Sequence, residues 1–158
     1  MKSKNICKFV PADMTGQLIP TQFILETNPS AMRHSEPKPT HRIVLITNQS
    51  GKLNLNTASY LCSVGNVIIL FENETYFFEG EVGFQYMYID FKGLRSYELF
   101  RRFGINESNR IFSGLDGLIP LWMESLSRAS KENIDLVSES ILLYTFSRLN
   151  YEHEKYDS

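Results

Sequence analysis

Gly65-Asn-Val-Ile-Ile-Leu-Phe71-Glu-Asn73-Glu-Thr-Tyr76 is the stretch from which the fold of this chain is read. Val67–Phe71 is the longest unbroken aliphatic and aromatic run in the sequence. It is too short for an ordinary helix and lies between Gly65 and the polar turn Glu72-Asn73-Glu74, as a short strand does. Thr75–Phe78 then starts a second strand. Strand, turn and strand within a dozen residues point to a β-rich core.

The same signals extend on both sides. Upstream, Arg42–Thr47 is a β-branched and aliphatic run that ends in the turn Asn48-Gln49-Ser50-Gly51. Lys52–Thr57 alternates, with Leu53 and Leu55 separated by polar residues, and Ser59–Ser63 follows. Downstream comes Phe84–Phe91. Several short strands with turns between them predict a sandwich or barrel. Residues 1–40 are broken by Pro11, Pro20, Pro29, Pro37 and Pro39 and read as an N-terminal arm and loop, with Gln22–Glu26 as a short strand.

From Gly93 onward the period becomes helical. Leu94, Tyr97, Phe100 and Phe103 are three apart, and Gly104 stands where a helix-ending glycine belongs. Leu118, Trp122 and Leu126 mark a second helix with Pro120 in its first turn. A third runs from about Asn133 to Leu149. Its apolar residues lie on two faces, Ile134, Val137, Ile141 and Tyr144 on one and Leu142, Phe146 and Leu149 on another, so more than one surface has to cover it. Strands first and helices after give an α+β fold: arm and loop over 1–40, β-barrel over 41–93, helices of the same domain over 94–150, and a linker or frayed end over 151–158.

Length and composition agree. The 158 residues make about one domain, and 42% apolar with 22% charged residues describe a globular chain. Lys and Arg total 16 against 18 acids, a net charge of −2. A small DNA-binding domain ordinarily has a basic surplus, so this chain is not expected to grip nucleic acid by itself. No apolar run approaches a membrane span or a secretion signal. Cys7 and Cys62 do not make a disulfide framework, and the expected compartment is the cytoplasm.

Chemistry-bearing motifs are absent. His34, His41 and His153 are not spaced as metal ligands with one another or with a cysteine or acid. There is no phosphate loop, nucleophile elbow or HExxH. Glu72 and Glu74 read as members of a solvated loop, and Cys62 as a small core residue. No enzyme, cofactor or metal is expected.

The opening stretch also carries a resemblance. Its spacing is similar to the second motif of the cupin barrels, G-x5-P-x-G-x2-H, with Gly65 kept, Phe71 at the proline, Asn73 at the second glycine and Tyr76 at the histidine. Asn73 can still take the left-handed turn conformation, but Tyr76 is no substitute for a ligating imidazole. The first cupin motif, with its paired histidines, has no counterpart, so the resemblance implies a cupin-like barrel (the double-stranded β-helix or jelly roll) without its metal.

Phe91-Lys92-Gly93 and the helix pattern Leu-Arg-x-x-x-Leu-Phe-x-x-x-Gly (Leu94–Gly104) narrow it further. With the later helices, the ordered set over residues 40–150 resembles the N-terminal regulatory domain of AraC-family transcription factors. That resemblance implies a barrel that binds a small effector, helices that form a homodimer, and DNA contact only through a helix-turn-helix domain not in this chain. Carried over by position from arabinose-responsive members, the effector contacts become Tyr76 and Phe78 on one strand and Tyr86 and Tyr88 on another. Arg42, opening the first clear strand, either reaches an anionic or hydroxylated ligand or sits on an exposed edge.

The tyrosines suit a carbohydrate or another small polar ring, since ring faces pack on sugar C–H groups and phenols bond hydroxyls. The same rings equally fill the core of a small barrel. Leu142, Phe146 and Leu149 are the expected dimer contact, unless they pack on the Trp122 helix. The alternative function is a stand-alone metal-free cupin, either a carbohydrate-binding protein or a small sugar-modifying enzyme. A structural dimer domain with a filled barrel stands as a third reading.

Overall fold

The computed structural model describes residues 5–9, 16–28, 36–56 and 58–149. His34, Thr57, His153 and the tail from Asn150 lie outside them. Among the described residues eight strands and three α-helices follow in the order β1 (Ile19–Glu26), β2 (His41–Asn48), β3 (Gly51–Leu55), β4 (Ser59–Cys62), β5 (Val67–Leu70), β6 (Tyr76–Gly80), β7 (Gln85–Lys92), α1 (Arg95–Arg102), β8 (Ile111–Phe112), α2 (Ile119–Ser127) and α3 (Ile134–Arg148). The strands form two antiparallel sheets, a larger one in the order β1-β7-β2-β5-β8 and a smaller one in the order β4-β3-β6. The α+β reading holds.

The larger sheet is covered on both faces, which explains its unbroken apolar runs. Side chains alternate along a strand. Ile43, Leu45, Val67, Ile69, Met87, Ile89 and Phe91 therefore point to the helices, while Val44, Ile46, Ile68, Leu70, Tyr86 and Tyr88 point to the smaller sheet. The smaller sheet has one core face, contributing Leu53, Cys62 and Phe78. Its opposite face carries polar residues such as Lys52 and Glu79, so β3 keeps the half-buried alternation seen in its sequence.

Turn chemistry sets the corners. Asn73 takes φ +65°, the conformation expected of it at the degenerate glycine position. Gly51 and Gly80 pair across β3 and β6, and the Phe84 ring lies against both. A Cβ on Gly80 would sit 2.3 Å from that ring, so a side chain there displaces it.

Helix α1 ends in a Schellman arrangement: Ile105 N–H donates to the Phe100 carbonyl and Gly104 N–H, at φ +64°, to that of Arg101. Its buried face is Ser96, Leu99 and Phe100, while Leu94 and Tyr97 are exposed. Residues three apart drift by about 60° per step around a helix, so the row from Leu94 does not stay on one face. Pro120 sits in the first turn of α2. Trp122 meets Phe23 edge to face at 5.6 Å and donates its indole N–H to Thr145 Oγ1 at 3.0 Å, tying α2 to β1 and α3.

Three expectations change. The N-terminal segment is more than an arm, because β1 pairs along β7 and completes an edge of the larger sheet. The stretch expected to be helical contributes β8 to the opposite edge. Leu142, Phe146 and Leu149 are only 0%, 1% and 6% exposed within the single chain. Phe146 packs among Phe91, Phe100 and Phe103, so this face of α3 is core and is not left over for a second subunit.

Candidate functional site

Arg42 is the least expected feature between the two sheets. It shares the face of Val44 and Ile46 on β2, and the register of β2 with β7 places Asp90 directly opposite. Arg42 is 3% and Asp90 1% exposed, so neither is an edge residue. Nε donates to one Asp90 carboxylate oxygen at 2.6 Å and Nη2 to the other at 2.9 Å. Nη1 donates to the Tyr76 hydroxyl. The guanidinium carbon stands 3.8 Å from the Tyr88 ring centroid, in cation–π contact.

Burial, the largest single influence, would weaken the arginine's charge, but the hydrogen bond to Asp90, the Asp90 charge and the neighbouring phenols Tyr76 and Tyr88 together outweigh it and hold the group above its ordinary range. Burial pushes the Tyr76 phenol up to about 12, and it raises Tyr86 and Tyr88 as well. All three tyrosines are neutral hydroxyls at physiological pH.

Tyr86 carries the unsatisfied group. Its ring is fully buried, 4.6 Å from Phe78 and 6.1 Å from Tyr88 between centroids, and its hydroxyl has no hydrogen-bond partner. Leaving a buried hydroxyl unpaired costs about 1–3 kcal/mol. Phe78 sits among Tyr76, Phe84 and Tyr86 and offers no polar atom; its part is packing.

A cleft of about 20 Å³ adjoins Arg42, Tyr76 and Asp90, with Glu36, Lys38 and Thr40 among its other walls. It has room for roughly one water. The turn after β5 is firmly held beside it. Glu74 accepts the Phe71 N–H at 2.6 Å and both Arg110 terminal nitrogens at 2.8 Å, and Asn73 N–H donates to the Lys38 carbonyl at 2.8 Å. Glu74 is thus a structural partner rather than a solvated acid. Glu72 donates its N–H to His41 Nδ1 at 3.0 Å and accepts the Tyr97 hydroxyl. Burial among aromatic rings lowers the His41 pKa.

The structure thus brings Arg42, Tyr76 and Tyr88 into contact, sets Tyr86 beside them and leaves Phe78 in the core. Asp90 was missed by the sequence reading, although a signal existed. It lies two residues beyond Tyr88 and four beyond Tyr86, hence on their face, and is the one acid in β7.

Elsewhere, Cys62 is buried and its thiol is pushed up to about 11, as fits a core residue rather than a nucleophile. Among the described residues no cluster of three His, Cys, Asp or Glu side chains is placed to hold a metal, and no helix is long and apolar enough to cross a membrane. A second hollow, about 190 Å³, lies between the start of α2 and the end of α3, lined by Leu118, Leu121, Tyr144 and Arg148 among others.

No protein-family model and no curated protein sequence matches the chain. Solved structures that share its fold include the following two. One is a lysine-to-alanine variant of ToxT from Vibrio cholerae strain SCE256 in its apo form, aligned over 90% of this chain and 56% of that one, with a TM-score of 0.53 and 15% identity. The other is the AraC-like transcriptional activator CuxR, aligned over 88% of this chain and 59% of that one, with a TM-score of 0.53 and 12% identity. The chain spans less than two thirds of either protein.

Proposed function

We propose that this chain is the effector-sensing module of an AraC-like transcription regulator, and that the effector enters between the two sheets at Arg42. Two things meet in support: a fold held in common with an AraC-like activator, and a sealed polar site inside it. The observation that carries the effector site is the Tyr86 hydroxyl, buried without a partner one ring away from Arg42: the Tyr86 ring lies 6.1 Å from that of Tyr88, on which the guanidinium stacks with N–H groups still unused. A small polar compound supplies what both lack, and a carbohydrate, with hydroxyls for the phenols and C–H faces for the rings, is the first class to test. The jelly-roll, cupin-like description of the barrel belongs to the same proposal.

The cleft as it stands admits about one water, so a sugar-sized effector enters only as Tyr76 and the segment around Lys38 give way. That displacement is the signal. A ligand that binds one arrangement better shifts the population toward it, and a DNA-reading domain that contacts the moved segment is biased in turn. Pairing of two copies, where the helices are concerned, falls to side chains exposed on α2 and α3 such as Leu121, Leu136 and Tyr144. The cytoplasm is the matching compartment.

The test is thermal melting against a panel of monosaccharides, disaccharides, sugar acids and small aromatics. A ligand at a hundred times its Kd adds about 2.7 kcal/mol, or roughly 5–10 °C for a domain of this size. A selective rise that is lost in Tyr86→Phe and Arg42→Gln supports the reading. A rise unchanged in both variants removes the site from between the sheets.

A further inference from the structure

Arg42 already holds an anion. Three of its five N–H groups are engaged, two by Asp90 and one by Tyr76. Asp90 is placed by strand register, directly opposite on the neighbouring strand, and its backbone carbonyl accepts the Thr21 hydroxyl at 3.3 Å. The carboxylate therefore does not depend on a flexible loop to reach the guanidinium. The other charges around the cleft also cancel: Glu74 is taken by Arg110, and Glu36 and Lys38 are of opposite sign.

This balance discriminates between ligands. A carboxylate or phosphate approaching Arg42 has to share the guanidinium with Asp90 in a poorly solvated place, where like charges strongly disfavour each other. An uncharged hydroxyl or carbonyl oxygen accepts the remaining N–H groups without that repulsion.

Building on the effector site proposed above, we infer that Asp90 determines specificity: as a resident counter-anion it closes Arg42 to anionic ligands and makes the cleft selective for uncharged, hydroxyl- or carbonyl-bearing ones.

Two measurements on the full chain test this. In the first, melting temperature is followed against formate and acetate, at constant ionic strength with chloride as the balance, for wild type, Asp90→Ala and Asp90→Ala/Arg42→Gln. Asp90→Ala is expected to show a saturable rise, on the order of 5–10 °C at a hundred times the Kd, with wild type and the double variant flat. If Asp90→Ala does not fold in chloride, its refolding in formate, and not in chloride, is the same result. An Asp90→Ala protein no more responsive than the double variant overturns the inference.

In the second, wild type is melted against neutral and acidic members of one scaffold, such as D-glucose with D-gluconate and each other aldose with its aldonate. Stabilisation by neutral members alone is expected. An acid that stabilises wild type, and loses its effect in Arg42→Gln, overturns the inference while leaving the sensor reading intact. Formate rescue together with a wild type that answers to no neutral compound supports Asp90's role at Arg42 and counts against the effector reading.

Discussion

Arg42 and Asp90 face each other across β2 and β7 and close a bidentate ion pair at 2.6 and 2.9 Å with almost no exposure to solvent. Burying two charges carries a desolvation penalty that their attraction repays only in good geometry, so such a pair is weak evidence of a stability role. It is better understood as a fixture of the site. Removing one partner strands the other, and removing both does not.

Arg42→Met and Asp90→Leu are therefore each expected to destabilise the fold by about 3–5 kcal/mol, and the double variant to lie near wild type or above it. Denaturant midpoints of the three proteins check this. A double variant well below wild type would show the pair to be a net stabiliser, and one as unstable as the sum of the singles would show that the two side chains are not coupled.

Tyr86→Phe removes the hydroxyl that has no partner. The apo protein is expected to gain about 1–3 kcal/mol, because the substitution deletes an unpaid desolvation and leaves the ring in place. Urea unfolding measures the change. Loss of stability would mean that the hydroxyl has a partner in solution.

His41 gives a pH dependence. Burial lowers its pKa from 6.5, against the opposing pull of Glu72 and Glu74, so the folded protein takes up the proton less readily than the unfolded chain. The neutral ring's stability contribution is present above about pH 6.5 and falls as pH drops toward the folded pKa. Protonation also ends the role of Nδ1 as acceptor for the Glu72 N–H. Melting curves between about pH 8 and pH 5 should fall more steeply for wild type than for His41→Gln. Parallel curves would show that His41 does not titrate differently on folding.

Phe146 and Leu142 lie inside the chain's own core. Phe146→Ala is expected to cost about 3–5 kcal/mol and Leu142→Ala about 2–5 kcal/mol, with oligomeric state unchanged in the protein that remains folded. Light scattering alongside thermal melting separates this from an interface role, in which the folded species would change mass.

Much of the fold was legible because local rules and tertiary packing agree. The Val67–Phe71 run, the alternation at Leu53 and Leu55, the glycine at 104 and the proline at 120 each announce the element they belong to. β1 was read only as Gln22–Glu26, since Pro20 hides its start, and β8 has two residues and no pattern to show. Leu142, Phe146 and Leu149 misled for a different reason. A broad apolar helix face says that something covers it, but not whether the cover belongs to the same chain. The candidate site was half legible: the tyrosines are marked by spacing, whereas Asp90 gains its meaning only from a strand register that pairs it with Arg42 forty-eight positions away.

The most direct measurement is arginine-selective 15N NMR of the full chain, titrated with the compound that raises its melting temperature most. Arg42 stands at the cleft between the sheets and Arg148 at the hollow between α2 and α3, so a single spectrum reports on both. Binding between the sheets moves the Arg42 Nε–H resonance in a saturable way and leaves Arg148 in place. Movement of Arg148 with Arg42 unchanged would contradict it and put the effector among the helices.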